Sequence, residues 1–176
     1  MMSSKRVEAK ARKLLEQSGI ITAPVDVELA ARTLGVEIEF DDLDDDVSGF
    51  LSVDPSRSVA VINENHHPNR QRFTIAHELG HYVLHVESEE GLFIDKKYTV
   101  HHRDHNSSLG TIEKEREANL FASSLLMPKA IVQALLDDLS VDFFDEFETS
   151  SLAKRLGVSE QALGFRLARL GYEVGE

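Results

Sequence analysis

The chain has 176 residues, the size of one domain that buries roughly 70% of the surface its unfolded form exposes. It has no cysteine, which excludes disulfides, thiolate metal sites and cysteine nucleophiles, so any metal must be held by His, Asp or Glu. Its 31 acidic against 19 basic side chains give a net charge of −12, which opposes binding to phosphate backbones unless the basic residues gather on one face.

No apolar stretch at the start suits a secretory signal, and no window approaches the ~20 apolar residues of a membrane span. A soluble, cytoplasmic protein is expected. Residues 5–18 set Val7, Ala11, Leu14 and Leu15 at helical spacing, with Gly19 to end the helix. A second helix is predicted after Asp26 as N-cap, ending at Gly35. Strands are predicted at 36–40, 47–53 and 58–63, the last two joined as a hairpin by the turn at 54–57. Pro68 opens a long helix expected to run to about His85. Residues 91–100 have strand character, and a loop follows. A helix is predicted over 111–127, with Thr111 as N-cap and Pro128 just beyond its end. Helical patterns also fill 129–139 and 149–170.

The acidic run at 41–46 tempts a calcium reading, since Asp44, Asp46, Ser48 and Gly49 fall at loop positions 1, 3, 5 and 6 of an EF-hand. Position 12 is then Pro55, which has no carboxylate, and a strand follows where a helix is needed. The run reads as a solvated turn.

The stretch RFTIAHELGHYVLH carries His77-Glu78-Leu79-Gly80-His81 and then His85. On a helix, His77 and His81 lie one turn apart on one face, so their imidazoles can meet on one ion, and nitrogen ligands suit zinc. Glu78, one step round the helix, is set to act on a water as general base. Gly80 in a helix interior costs ~1 kcal/mol against alanine and points to a neighbouring element packed close by.

A third ligand must come from elsewhere. His85 is eight residues from His77, ~12 Å along the axis, too far for both to share an ion. It reads as a supporting histidine at the helix end. His101, His102 and His105 form a loop cluster, exposed by default, and His66 and His67 read the same way. The helix over 111–127 offers Glu113, Glu115 and Glu117. Glu117 adjoins the apolar stripe of Ala118, Phe121 and Leu125, where a carboxylate is costly unless it meets a cation, so it is the expected third ligand. Glu115, 200° away, is expected to face solvent.

Several stretches in order, VSGFL, NENHHPNRQRFTIAHELGHYVLH, RDHNSSLG, EREANLFASSLLMP and LAKRLGVSEQALGFRLARLGY, resemble the ImmA/IrrE family of metallo-endopeptidases over roughly residues 25–172. The resemblance implies one zinc per chain on His77, His81 and Glu117, with Glu78 as the catalytic carboxylate. It also implies an α+β, zincin-like fold, with a small, mainly antiparallel sheet beside the HExxH helix. Residues 1–145 would form that domain. Residues 146–176 would add a helical hairpin, helix-turn-helix-like in pattern, packed on it. The implied partner is a helix-turn-helix repressor or antitoxin-like protein whose cleavage relieves repression.

The expected reaction is zinc-dependent peptide hydrolysis, with the strand at 58–63 offering an edge to an extended substrate. Tyr98, His101 and Arg103 are candidates for a second electrophile, and Asn119 for orienting a ligand. Two alternatives remain at this point. The chain could be a zinc-stabilised partner-binding or toxin-like module that cuts nothing. It could also be a DNA-binding regulator reading bases with Gln161, Arg166 and Arg169, which its shortage of positive charge disfavours.

Overall fold

The computed structural model describes residues 2–86, 98–99, 109–139 and 146–172. The chain opens with two helices. α1 (Ser4–Ser18) buries Val7, Ala11, Leu14 and Leu15, the predicted stripe. α2 (Val27–Leu34) is capped by Asp26, whose side chain accepts from the Leu29 amide at 2.8 Å. Gly19 and Gly35 end the two helices in the left-handed conformation, φ 67° and 72°.

The strands β1 (Val36–Asp41), β2 (Gly49–Val53), β3 (Ser58–Asn63) and β4 (Tyr98–Thr99) form one sheet in the order β1-β3-β2-β4. Both pairings of β2 are antiparallel, as the predicted hairpin requires, whereas β1 runs parallel to β3, with Val36 opposite Ser58. The sheet is therefore mixed. β3 is an interior strand with a neighbour on each side, so it presents no edge to a substrate, contrary to the expectation. Short Asx bonds hold the hairpin turn, with Asp54 accepting from the Ser56 and Arg57 amides at 2.8 and 3.0 Å. The acidic turn is a solvated turn held largely through its carbonyls, while the Asp42 carboxylate accepts from the Asn65 side-chain amide at 2.6 Å. The buried Asn63 side-chain amide donates to the carbonyls of Leu43, Asp44 and Val47.

α3 (Pro68–His81) begins at Pro68 as predicted but stops short of His85 as an α-helix; a π-helical turn takes over at Tyr82–Val86. α4 (Leu109–Leu126) starts two residues before Thr111, which is thus inside the helix and not its N-cap. α5 (Lys129–Leu139), α6 (Glu146–Leu156) and α7 (Glu160–Leu170) complete the described chain. From Glu117 to Leu126, α4 is buried at every position but Asn119 and Ser123, which is the mark of a central helix. It packs on α3 along one flank and on α1 along another.

Gly80 shows how close α3 and α4 approach. A Cβ there would sit 3.1 Å from both the Cα and the carbonyl oxygen of Ala118, and 3.2 Å from Phe121 Cβ. The glycine is a packing device, as its presence in a helix interior suggested.

The last two helices share the same core through Leu152, Ala153, Leu156, Leu163 and Leu167. Asn69 and Arg72 of α3 donate to the carbonyls of Val158 and Gly157 in the turn between them. Arg166, a candidate base reader, is buried instead, donating to the Met127 carbonyl at 3.0 Å and to Glu8 at 2.9 Å. Among the described residues no single helix is long and apolar enough to cross a membrane.

Candidate metal centre

The last turns of α3 carry His77 and His81 into the space beneath α4, where both rings are almost fully buried. Their Nε2 atoms lie 3.0 Å apart, aimed at the same point. Glu115 of α4 reaches that point, its two oxygens 3.3 Å from His77 Nε2 and 3.2 Å from His81 Nε2. His77, His81 and Glu115 are the group of metal-ligating side chains that converges among the described residues.

Glu117 is not part of it. Its carboxylate is buried on another side of α4, where it accepts from the Met2 amide and lies 3.9 Å from His85 Nε2. The structure brings Glu115, and not the expected Glu117, to the two histidines. The reason lies in how α4 is covered. An apolar stripe locates an inward face only when a helix has one such face, and α4 has several. Glu117 turns towards the start of the chain, whereas Glu115 turns towards α3. The sequence held a usable signal. Glu115 and Asn119 are four residues apart, so they lie on one face. Asn119 is the residue that touches His77, with 3.0 Å between its Oδ1 and His77 Nδ1. The asparagine oxygen accepts from Nδ1–H, which turns Nε2 towards Glu115 and His81.

Glu78 is fully buried, and neither of its oxygens has a hydrogen-bond partner among the described residues. Burial pushes its pKa up to about 7, with the Glu115 charge adding to the rise and His77 opposing it. Burial also pushes Glu115 upwards, but hydrogen bonds from both imidazoles outweigh it and hold this carboxyl well below its usual range. For His77, burial lowers the pKa, yet its bond to Glu115 and the charges of Glu78 and Glu115 raise it overall. For His81, burial wins and the pKa is lowered. Without a cation, the ionised Glu115 favours a proton on His77; a divalent cation between the three groups would take that proton's place.

The donor set fits zinc. A tetrahedral face built from ligand bonds of ~2.0–2.2 Å has edges of about 3.3–3.6 Å, and zinc sites of two histidines and one glutamate keep a fourth position for water. The two Nε2 atoms here are 3.0 Å apart, and the Glu115 oxygens stand at 3.3 Å (Oε2 to His77) and 3.2 Å (Oε1 to His81), close to such spacings. Glu115 is 26% exposed while the two rings are nearly dry, so solvent reaches the trio from one side.

His85, the third histidine of the opening stretch, sits in the π-helical turn with Nε2 3.3 Å from the Lys114 carbonyl and its ring 5.5 Å from that of His81. It stands behind the trio and beside Glu117. Tyr98 begins β4, opposite Val53. Its side chain, and the whole of His101, His102, Arg103 and His105, lie outside the described residues.

A profile of the IrrE N-terminal-like domain, a peptidase family, matches residues 31–168. The chain belongs to this family. The radiation response metalloprotease IrrE of Deinococcus radiodurans is 32% identical over 109 residues, 62% of this chain and 30% of that protein. The metalloprotease of the same name from Deinococcus deserti is 34% identical over 116 residues, 65% of this chain and 37% of its own length. Metallopeptidase ImmA of Bacillus subtilis is 26% identical over 124 residues, 70% of this chain and 64% of its own. The chain thus spans about a third of the two IrrE proteins and under two thirds of ImmA. In fold it is similar to a Mycobacterium tuberculosis transcriptional regulator, with a TM-score of 0.64 at 20% identity, over 93% of this chain and 46% of that one.

Proposed function

We propose that this chain is a zinc-dependent endopeptidase of zincin-like fold that cleaves a helix-turn-helix repressor or antitoxin-like partner. The observation that carries the chemistry is Glu78, a buried carboxylate with no partner, next to three donors that converge on one point. A buried carboxylate left alone is costly, and a cation with its water is what such a site lacks. The metalloprotease relatives support the same chemistry, and the helix-turn-helix partner rests on the family resemblance.

His77, His81 and Glu115 would hold the ion, and Asn119 would fix the His77 tautomer from behind. A bound zinc supplies a Lewis acid for the scissile carbonyl and brings the pKa of a water towards ~7. Glu78, whose burial favours the protonated carboxyl, is placed to carry the proton. Its carboxylate oxygen takes a proton from the attacking water and returns it to the nitrogen of the leaving amine. Burial keeps bulk solvent away from that proton.

The test is Glu78→Gln, assayed with the repressor encoded nearest to the gene. The variant is expected to keep its zinc and bind the repressor while cleavage falls by ~10²–10⁴-fold. Full relief of repression by a variant that does not cut would show that binding alone is the function.

A further inference from the structure

A groove of about 890 Å³ runs between the start of α3, the outer side of α4 and α7. It adjoins the metal centre without including it. Asn119 and Phe73 both line it, the first bonded to His77 and the second with its ring 6.4 Å from that imidazole. A polypeptide lying in the groove therefore runs along the Nδ1 side of His77, next to the metal centre.

The groove's lining inverts the character of the rest of the chain. Arg70, Arg116 and Arg169 line it and, among the described residues, no Asp or Glu does, on a chain of net charge −12. Among the described residues none of the three arginines pairs with a carboxylate. Arg70 donates to Ser48 Oγ at 2.9 Å and Arg169 to Ser4 Oγ at 3.1 Å. Apolar side chains lie between the cations, with Phe165 73% exposed on α7 and Leu120 on α4, next to the polar Asn119, Ser123 and Gln161. Each helix sets an apolar side chain one turn from a cation, Leu120 with Arg116 and Phe165 with Arg169.

We propose that this groove docks an acidic, amphipathic segment of the protein substrate, its apolar side on Phe165 and Leu120 and its carboxylates on Arg116 and Arg169. The docked segment's role as substrate rests on the peptidase reading; the docking rests on the groove alone. Charge complementarity selects the occupant, because positive lining with an apolar floor matches carboxylates interleaved with apolar side chains. A nucleic-acid backbone would use the arginines and leave the exposed phenylalanine unmatched, and Arg166 of the same helix is not available to it.

The test uses the full-length Glu78→Gln protein, so that nothing is cut. The probe is a fluorescent peptide of about 18 residues, with leucines at helical spacing and glutamates elsewhere. A matched peptide carries lysine for glutamate, and a random DNA duplex serves as competitor. Expected are binding of the acidic peptide, at least tenfold weaker binding of the lysine peptide, and about tenfold loss with Arg116→Glu or Arg169→Glu. The double reversal should turn the preference towards lysine. Arg116→Gln and Arg169→Gln replace the reversals if those lower the melting temperature. No binding of the acidic peptide, equal binding of both peptides, indifference to the arginine variants, or complete displacement by the duplex each overturns the proposal. Repeating the titration with zinc chelated separates the two claims. Arginine-dependent docking without Glu78-dependent cleavage sinks the peptidase reading alone. Glu78-dependent cleavage without arginine-dependent docking sinks the groove alone.

Discussion

Two carboxylates on one helix, Glu115 and Glu117, show how differently neighbouring positions are used. Both are held near histidines and both are largely shielded from water. Glu115 faces the two Nε2 atoms of α3 at 3.2–3.3 Å, with space for an ion between them. Glu117 faces the first residues of the chain and His85, and its work there is to accept the Met2 amide. A central helix covered by α1 on one side and α3 on another has two inward faces. Burial by itself therefore does not say which carboxylate meets the metal. The contacting partner on the other helix decides it, and here that partner is reached through the close approach at Gly80.

Gly80→Val would break the comparison most strongly. Branched carbons would press on the Ala118 backbone, which cannot yield as a flexible side chain can. We expect a loss of ~3 kcal/mol in unfolding free energy and weaker zinc binding, because pushing α4 away carries Glu115 with it. Unchanged zinc affinity in a destabilised variant would show that the trio does not depend on that contact.

A comparable effect is expected from pH in the metal-free protein. The Glu78 pKa is raised to about 7 from 4.5, so folding takes up a proton between these values. Its contribution is fully present below pH 4.5 and lost as pH rises through 7. The wild type should therefore lose up to about 3 kcal/mol relative to Glu78→Gln across that window. Glu115 has the opposite sign: its depressed pKa contributes stability above pH 4.5 that is lost on acidification. Denaturant melts of the two proteins at several pH values measure the difference, and parallel curves would contradict the burial assigned to Glu78.

Asn119→Ala removes the acceptor of His77 Nδ1 and should weaken zinc by ~10–100-fold, with Asn119→Asp restoring most of it. A chelator titration reads this directly. The smallest change is expected from Glu117→Ala, which loses the acceptor of one amide near the chain start, about 1 kcal/mol of stability, with zinc affinity unmoved.

Much of this was legible beforehand. The caps at Asp26, Gly19 and Gly35 and the burial of Val7, Ala11, Leu14 and Leu15 follow from local rules that depend on nearby residues only. So does the placing of His77 and His81 on one face, since both lie on one helix. What was misread depends on contacts between distant segments. The parallel pairing of β1 with β3, which makes β3 interior, is not encoded in either strand's pattern. That Glu115, and not Glu117, faces α3 is hidden because the apolar stripe of Ala118, Phe121 and Leu125 marks only one of the faces α4 buries. The π-helical turn that ends α3 leaves no signature in YVLHV that propensity can detect.

Glu115, and not Glu117, is the carboxylate placed to complete a metal centre with His77 and His81. The direct measurement is zinc affinity of Glu115→Ala and Glu117→Ala against a competing chelator, with melting temperatures to show that both are folded. Glu115→Ala should lose affinity by more than the ~10–100-fold of a supporting residue, while Glu117→Ala stays near wild type. Retention of tight zinc by Glu115→Ala, with its loss in Glu117→Ala, would contradict the account.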